Sequence, residues 1–461
     1  MEPALSVIRY NRLFFNILKT NKTLFTGLVF LCLPFLACKQ ATKPLSATEQ
    51  AELYQSAVDK LTEVIIYDIF TPPVASRIYA YSNLAAYEAM RNITPTHPSM
   101  AGRINGFSAA PAPENGKTYN APLAGIKAFL TVARSMTFST QYFDDFEQVV
   151  FEKFKHSDLS AAVYEQSLAY GTAVGNHVLA YAKTDHYTPT RGMRYTLKKL
   201  PGSWQPTPPS YADAVEPKWG TIRPLVLDSA GLFPVPPHAP YSTDKNSAYR
   251  KELTEVYDLS KNLTEEQKRI AWFWDDNALV MEVQGHTMTA SKKMTPGGHW
   301  LAIGQRLNRA QKYDALQSAQ VNLLISVALF DGFIACWNIK YQTHRVRPET
   351  VINADMDKNW MPYLQTPAFP EYPSGHSTIS AASAAVLSSF FGDNTAFTDS
   401  TEYVFGHGVG QFSSFRAAAA EASVSRLYGG IHYRSGCDAG AGLGENIGKK
   451  VLERLSSTTG K

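Results

Sequence analysis

Three short segments in the last third of the chain carry side chains that could bind an oxyanion together. The first holds Lys340 and Arg347, with Pro348 directly after the arginine. Seven residues are nearly two helical turns, so both cations fall on one face, and the proline takes Arg347 out of helical geometry. The lysine then offers a point charge and the arginine a planar fork to an anion. A solvated basic face is the ordinary alternative for this segment alone.

The second segment, Pro373-Ser374-Gly375-His376, precedes a helical pattern over 375–391. A helix start gathers free backbone N–H groups and the positive end of the helix dipole at one point. Ser374 adds a hydroxyl donor, Gly375 lets the backbone approach closely, and His376 can exchange protons near neutral pH. An ordinary capped helix with an incidental histidine remains open for this segment alone.

The third segment runs from Ser425-Arg426 through the pair Gly429-Gly430 to His432. The double glycine should break a helix that carries Arg426, so that His432 projects from the turn. A structural histidine is the alternative. Taken together, the segments supply what a multiply charged tetrahedral oxyanion needs: cationic donors, backbone donors and one histidine able to bond the central atom. The predicted site consists of Lys340, Arg347, Ser374, Gly375, His376, Arg426 and His432.

The elements that must position these residues read as helices. Apolar residues recur at three- and four-residue spacing along most of the chain, and no strand-period block or internal repeat is evident. Helices are predicted over 76–91 (with Ser76 as the cap), 121–136, 140–156, 159–184, 246–258, 264–290, 307–341, 375–391, 410–428 and 438–456. The sequence therefore predicts an all-α fold.

A proline-rich stretch interrupts the helical pattern. Residues 187–243 hold 11 of the 27 prolines, and proline blocks helix interiors because it lacks a backbone donor. We expect an N-terminal helical region over 51–186, an irregular connecting segment over 187–245, and a C-terminal helical region over 246–456 that contains the site.

The first residues are typical of a targeting segment. A basic stretch precedes the apolar run from Leu24 to Ala37, which is short for a membrane span. Leu36-Ala37-Cys38 resembles the lipobox of bacterial lipoproteins, which implies that 1–37 is removed, that Cys38 carries a lipid anchor and that 38–50 is a tether. An exported location follows, periplasmic or attached to the outer membrane. Plain secretion is the alternative.

Composition describes a globular chain of 461 residues, with 44% hydrophobic and 18% charged residues. The net charge is only +4, most of it in the targeting segment, so charge gives no reason to expect nucleic acid or an anionic membrane as a partner. Two cysteines lie near the motifs, Cys336 and Cys437. A disulfide between them is permitted in an exported protein, but two buried thiols are favoured.

The three motifs, Lys-x6-Arg-Pro, Pro-Ser-Gly-His and Ser-Arg-x5-His, together resemble the signature shared by vanadium haloperoxidases and type-2 phosphatidic acid phosphatases. The resemblance implies that His432 bonds vanadium and that His376 is the acid–base partner of the peroxide. In the phosphatases the same histidines serve as nucleophile and general acid, respectively. The resemblance further implies that the remaining contacts to vanadate come from Lys340, Arg347, Ser374, Gly375 and Arg426.

Other features favour the haloperoxidases. Trp337 and the segment from Trp204 to Pro224 resemble stretches of bacterial haloperoxidases, and so does the long helical region before the motifs. The resemblance then implies helical bundles and vanadate-dependent oxidation of a halide by hydrogen peroxide to hypohalous acid, with no haem and with Lys340 and the two histidines as catalytic residues. Iodide is favoured over bromide because the chain most resembles the iodoperoxidase-like branch. The alternatives are an acid phosphatase and a non-catalytic oxyanion-binding lipoprotein.

One departure concerns the partners of the two histidines. The family often has aspartate four residues after the last histidine, where this chain has Gly436, so Asp438 or a backbone carbonyl is expected to orient His432. Trp337 and Phe369 are expected near the halide. Candidates to orient His376 are Asp275, Asp276 and Asp331, and the histidines expected to serve only packing or the surface are His286, His299, His344 and His407.

Overall fold

The computed structural model of this protein describes residues 43–278, 280–290 and 292–456. The predicted targeting segment and the lipid-anchor cysteine Cys38 lie outside the described residues. So does the start of the predicted tether.

The first helical region begins with a capped helix. Ser46 and Glu49 form a reciprocal capping box, so the first helix starts inside the predicted tether. The prediction that Ser76 caps a helix is wrong. Ser76 lies inside the second helix and donates to the carbonyl of Pro73. The elements are α1 (Ala47–Tyr67), α2 (Pro72–Ile93), α3 (Ala121–Met136), a 3-10 helix (Thr140–Phe143), α4 (Asp144–Lys155) and α5 (Ala161–Ala182).

The rest of the described chain is also mainly helical. Its helices are α6 (Tyr187–Thr190), α7 (Ala248–Lys261), α8 (Glu265–Phe273), α9 (Pro296–Ala310), α10 (Ala315–Thr343), α11 (Pro348–Asp355), α12 (Gly375–Phe391), α13 (Phe415–Tyr428) and α14 (Arg434–Leu455), with 3-10 helices at Trp219–Thr221 and Thr401–Phe405. The strands are β1 (Met281–Gln284), β2 (Thr287–Ala290), β3 (Phe397–Asp399) and β4 (Gly410–Phe412). The prediction of a helical fold is confirmed.

Two short antiparallel hairpins overlap segments where the sequence predicts helix. The helix predicted over 264–290 is wrong beyond Phe273, because β1 and β2 pair with Met281 opposite Ala290. Gly285 has a positive φ of 60° at the turn, which a helix cannot contain. Strand β4 likewise occupies 410–412, and α13 begins only at Phe415. Strands of three or four residues are too short to show an alternating pattern in the sequence.

Helix α10 is the centre of the fold and packs against α1, α2, α9, α12 and α14. It is apolar on all sides, as a helix surrounded by other helices must be. Within the described residues it is the one helix long and apolar enough to cross a membrane, yet 94% of its most apolar window is buried in the protein. Trp337 and Lys340 lie near its C-terminal end, so this core helix positions two residues of the predicted site.

The proline-rich segment is irregular, as predicted, but it is fixed to α10 by specific hydrogen bonds. The buried carboxylate of Asp331 accepts three backbone N–H groups, from Leu225, Val226 and Leu227, at 2.7–2.9 Å. Asp331 therefore holds this segment in place and does not orient His376. The carbonyl of Val215 accepts from Trp337 Nε1 at 3.2 Å, so the segment also supports a wall of the site.

Candidate active site

The ends of five helices bring the three predicted motifs together. Lys340 lies in the last turn of α10, and Arg347 is the extended N-cap residue of α11. Pro348 starts α11, so the proline redirects the chain at Arg347 as expected. Ser374 caps α12, Arg426 lies in the last turn of α13, and His432 lies in the turn before α14. All of these side chains are buried.

The cations of the site are paired with neutral acceptors. Lys340 Nζ donates to the carbonyls of Pro370 and Glu371, both at 2.9 Å. Arg426 Nη2 donates to the carbonyl of Trp274 at 2.6 Å. Because burial penalises the charged form, it lowers the pKa of Lys340 to about 7 and also lowers the pKa of Arg426.

Arg347 is only partly satisfied. Its Nε donates to the carbonyl of Phe369 at 3.0 Å, and its Nη1 donates to the carbonyl of Ile431 at 2.7 Å. Its Nη2 is buried and has no hydrogen-bond partner among the described residues. Burial lowers the pKa of Arg347 to about 10. A buried charge with an unused donor is costly unless a counter-ion completes it, which indicates an anion site.

The start of α12 adds donors from the backbone. Ser374 Oγ accepts from the backbone N–H of Ser377 at 3.3 Å, which leaves its hydroxyl proton free to donate to an anion. Gly375 lies against Trp337, since a Cβ there would come within 3.3 Å of the indole ring. The positive end of the α12 dipole therefore faces the same space as the cations.

His432 is held in the form that binds metals. Its Nδ1 lies 2.7 Å from Glu371 Oε1, and its Nε2 lies 3.1 Å from Arg347 Nη1. Burial and the nearby cations lower the pKa of His432 well below its usual value, so the ring is neutral. Nδ1–H donates to the carboxylate, which assigns the lone pair to Nε2 on the pocket side.

Glu371, rather than Asp438, orients His432. Asp438 is exposed on α14, so the expectation that it replaces the family's usual aspartate is wrong. Glu371 instead reaches His432 from the segment before α12, and it forms an ion pair with Arg345 at 3.2 Å. A Cβ at Gly436 would lie 2.0 Å from Glu371 Oε1, so the glycine makes room for this carboxylate. The signal available in the sequence was an acidic residue three positions before Ser374.

His376 lies in the first turn of α12 at the edge of the pocket, with 17% of its side chain exposed. Its Nε2 is 4.0 Å from Asp276 Oδ2 and has no hydrogen-bond partner among the described residues. Of the three proposed carboxylates, Asp276 is therefore the one beside His376, whereas Asp275 pairs with Lys293 at 2.7 Å. Burial, Arg426 and His432 together lower the pKa of His376 well below its usual value.

Aromatic rings form one wall of the pocket. Trp337 and Phe369 have ring centroids 4.9 Å apart, and both line the pocket together with Phe333, His376, Arg426 and His432. The ring of Phe369 also lies over two cations, 5.1 Å from Lys340 Nζ and 5.0 Å from Arg347 Cζ. These two aromatic residues were expected here, and the structure brings them to the site.

The two predicted cysteines and the other predicted histidines lie in different surroundings. Cys336 and Cys437 are both buried free thiols, so the favoured prediction is confirmed. His286 is exposed, His344 bonds to Tyr195, and His407 bonds to the carbonyl of Trp272. His299 is different, because it is fully buried among carboxylates next to the pocket.

The fold and the site together define a helical protein with a buried, cation-lined pocket. A family model described as the VCPO second helical-bundle domain matches residues 320–461. The structure of the first bacterial vanadium-dependent iodoperoxidase is similar with a TM-score of 0.82 and 42% identity, over 88% of this chain and 96% of that chain. The chain belongs to the vanadium-dependent haloperoxidase family.

A more distant likeness concerns the fold alone. The structure of a holo-type bacterial vanadium-dependent chloroperoxidase has a TM-score of 0.65 and 18% identity, over 84% of this chain and 93% of that chain. No protein with a curated description matched the sequence.

Proposed function

We propose that this protein uses bound vanadate to oxidise a halide, preferentially iodide, with hydrogen peroxide to hypohalous acid. The observation that carries the proposal is the set of three buried cations, Lys340, Arg347 and Arg426. Their hydrogen-bond acceptors among the described residues are neutral carbonyl, hydroxyl or imidazole groups. Such a set is stable only when an anion neutralises it.

The donor set fits vanadate. The three cations, the Ser374 hydroxyl and the backbone at Gly375 would hold its oxygens, and Nε2 of His432 would bond the metal. The unused Arg347 Nη2 and the neutral His432 are the two features that fit this group best. When bound, vanadate supplies a Lewis-acidic V(V) centre that activates peroxide without a change of oxidation state, so no haem is required.

His376 is suited to proton transfer from the peroxide. Its lowered pKa keeps the ring neutral, and Nε2 is an unpartnered atom that can take up a proton. Asp276, 4.0 Å away, would stabilise the imidazolium that forms. Lys340 and Arg347 would donate toward charge that develops on the peroxide oxygens, so Lys340 would be a catalytic residue together with His376 and His432.

The aromatic wall supports a large, polarisable halide. Trp337 and Phe369 offer ring faces and edges beside the cations on that side of the pocket. The similar structure at 42% identity is an iodoperoxidase by name, and iodide is the halide that is most easily oxidised. Iodide is therefore the proposed substrate, with bromide second.

A halide panel tests the proposal. Vanadate-free protein and protein reconstituted with vanadate are assayed with peroxide and iodide, bromide or chloride in turn. We expect activity only after reconstitution, in the order iodide, bromide, chloride. Hydrolysis of a phenyl phosphate without halide oxidation would establish the phosphatase instead, and phosphate binding with neither activity would establish a non-catalytic oxyanion protein.

We also propose that the protein is exported and anchored through a lipid on Cys38. The support is the sequence pattern alone: a basic stretch, an apolar run and Leu-Ala-Cys. Metabolic labelling with a radioactive fatty acid should mark the wild type and leave Cys38→Ala unlabelled. Equal labelling of the two would refute the anchor, and release of unlabelled wild type into the medium would support plain secretion.

A further inference from the structure

A second buried cluster of ionisable groups lies directly behind the pocket. His299 of α9 is at its centre, and three carboxylates surround the ring: Asp276, which follows α8, Asp399 at the end of β3, and Glu402 in the 3-10 helix. Each of the four is at most 1% exposed. Carboxylates are rarely buried so completely unless a cation or donors accompany them.

The histidine ring has one side already assigned. His299 Nε2 lies 2.7 Å from Asp399 Oδ2, while Asp399 Oδ1 accepts from the backbone N–H of Thr401 at 2.9 Å. Metal-ligating histidines commonly donate their other N–H to a carboxylate in this way, which fixes the ring and raises its basicity. The opposite atom, Nδ1, then faces Asp276 Oδ1 at 3.0 Å and Glu402 Oε1 at 3.9 Å.

The carboxylates on the Nδ1 side lack donors. Neither oxygen of Glu402 has a hydrogen-bond partner among the described residues, and neither does Asp276 Oδ2. The neighbouring ammonium of Lys293 is engaged by Asp275 at 2.7 Å. A fully buried glutamate without donors, next to a histidine and a second carboxylate, needs either a proton or a cation to offset the cost of its burial.

We propose that Asp276, His299 and Glu402 bind a divalent metal ion at a site separate from the vanadate pocket. One ligand atom from each residue lies within 4.8 Å of the other two, close enough for one ion to contact all three after small side-chain shifts. One imidazole with two carboxylates suits Mn²⁺, Fe²⁺ or Zn²⁺. The ion's two charges would neutralise the two carboxylates.

The position of this site ties it to the acid–base histidine. Asp276 Oδ2 faces His376 Nε2 at 4.0 Å, and Asp276 Oδ1 belongs to the cluster. A metal ion on the cluster side would therefore fix the carboxylate that lies beside His376. It would also join the segment after α8 to the 3-10 helix at Glu402 and hence close the fold behind the pocket.

Protons are the competing occupants. Burial and the nearby Asp276 raise the pKa of Glu402 to about 8, and with Glu402 protonated, a positively charged His299 between Asp276 and Asp399 would balance the cluster without a metal. A metal ion has to displace these protons, so the two arrangements differ in whether the cluster binds a metal ion saturably.

The test uses vanadate-free, chelator-dialysed full-length protein titrated with Mn²⁺, with the free ion counted by electron paramagnetic resonance. We expect one Mn²⁺ per chain. Glu402→Gln should weaken binding by roughly 10- to 100-fold, whereas Glu88→Gln, a fully buried glutamate of α2 outside the cluster, should bind like the wild type. No saturable binding, or binding unchanged in Glu402→Gln, would overturn the proposal.

Thermal unfolding keeps the test decisive if a variant folds poorly. Mn²⁺ should raise the melting temperature of the wild type and of Glu88→Gln but not that of Glu402→Gln or Asp276→Asn. An equal shift in all four proteins would place the ion elsewhere and refute the site. Because no vanadate, peroxide or halide is present, the result is independent of the proposed peroxidase activity.

Discussion

Two buried clusters of opposite charge meet at Asp276, and they differ in how easily the sequence reveals them. The pocket cluster contains Lys340, Arg347 and Arg426, whose donors are bonded to neutral acceptors or unused. The cluster behind it contains three carboxylates, and among the described residues both oxygens of Glu402 and one oxygen of Asp276 lack hydrogen-bond donors. We propose a ligand of opposite charge for each cluster, so the comparison adds a second proposed site to the one that the motifs indicate.

Removal of the metal ligand should have the largest effect on the pocket. His432→Ala deletes the neutral Nε2 that lies 3.1 Å from Arg347 Nη1, so vanadate-dependent iodide oxidation should fall to the background rate. The assay is iodide oxidation at saturating vanadate, with His286→Ala, an exposed hairpin residue, as the matched control. Substantial activity in His432→Ala would show that the pocket does not bind the metal through this residue.

The carboxylate that orients His432 should have the next largest effect. Glu371→Gln keeps the shape but removes the charge at Nδ1, and loss of such a partner typically weakens metal binding by about 10- to 100-fold. The vanadate dissociation constant measures this loss. Glu252→Gln is the control, since Glu252 pairs with Arg345, and Arg345 in turn contacts Glu371. Equal effects of the two changes would assign the loss to the Arg345 network.

The lowered pKa of Lys340 predicts a moderate pH dependence of the pocket. The ammonium is charged below about pH 7 in the free protein, and an anion binds the charged form better. Vanadate affinity should therefore decline as the pH rises above about 7, by at most roughly tenfold per pH unit for a single linked proton. Affinity measured from pH 6 to 9 tests this.

Lys340→Met provides the reference for that titration, because it keeps a similar volume and has no proton to lose. Any slope left in the variant belongs to the oxyanion itself or to other groups. If the wild type and Lys340→Met had the same slope, Lys340 would not be the group that links the pH to binding.

The smallest expected effect comes from the carboxylate cluster, and it is a pH dependence of the protein's stability. The pKa of Glu402 is about 8 in the folded protein and near 4.5 when unfolded, so the folded state holds an extra proton between these values. In metal-free protein this stabilisation is complete below pH 4.5 and is lost as the pH rises through 8, by at most ~1.4 kcal/mol per pH unit.

Thermal melting of the metal-free wild type and Glu402→Gln between pH 5 and 8 measures this difference. The variant should lose less stability than the wild type over that range. Parallel curves would mean that Glu402 does not titrate between pH 5 and 8, which would weaken the contrast between the two clusters.

The sequence predicts the pocket well because its residues sit at fixed spacings around helix ends. Lys340 and Arg347 share a face for geometric reasons, and Ser374 lies where a helix must start. Glu371 escaped prediction because its contact depends on how the segment before α12 packs against Gly436 of α14. This is a tertiary contact, and it produces no periodic pattern in the sequence.

The cluster behind the pocket escaped prediction for a related reason. Asp276, His299, Asp399 and Glu402 come from four separate elements, and no spacing between them is characteristic. The hairpin between α8 and α9 was missed as well, since its strands have four residues each and the stretch resembles the end of a helix. Only the folded chain brings these residues to Asp276.

Equilibrium dialysis of the vanadate-free protein against vanadate is the most direct test of the central claim that the buried cations hold this oxyanion at His432. We expect the wild type to bind one vanadium per chain and to release it when phosphate is added in excess. We expect no tight binding in His432→Ala. Absence of vanadium from the wild type, or equal binding by His432→Ala, would contradict the claim.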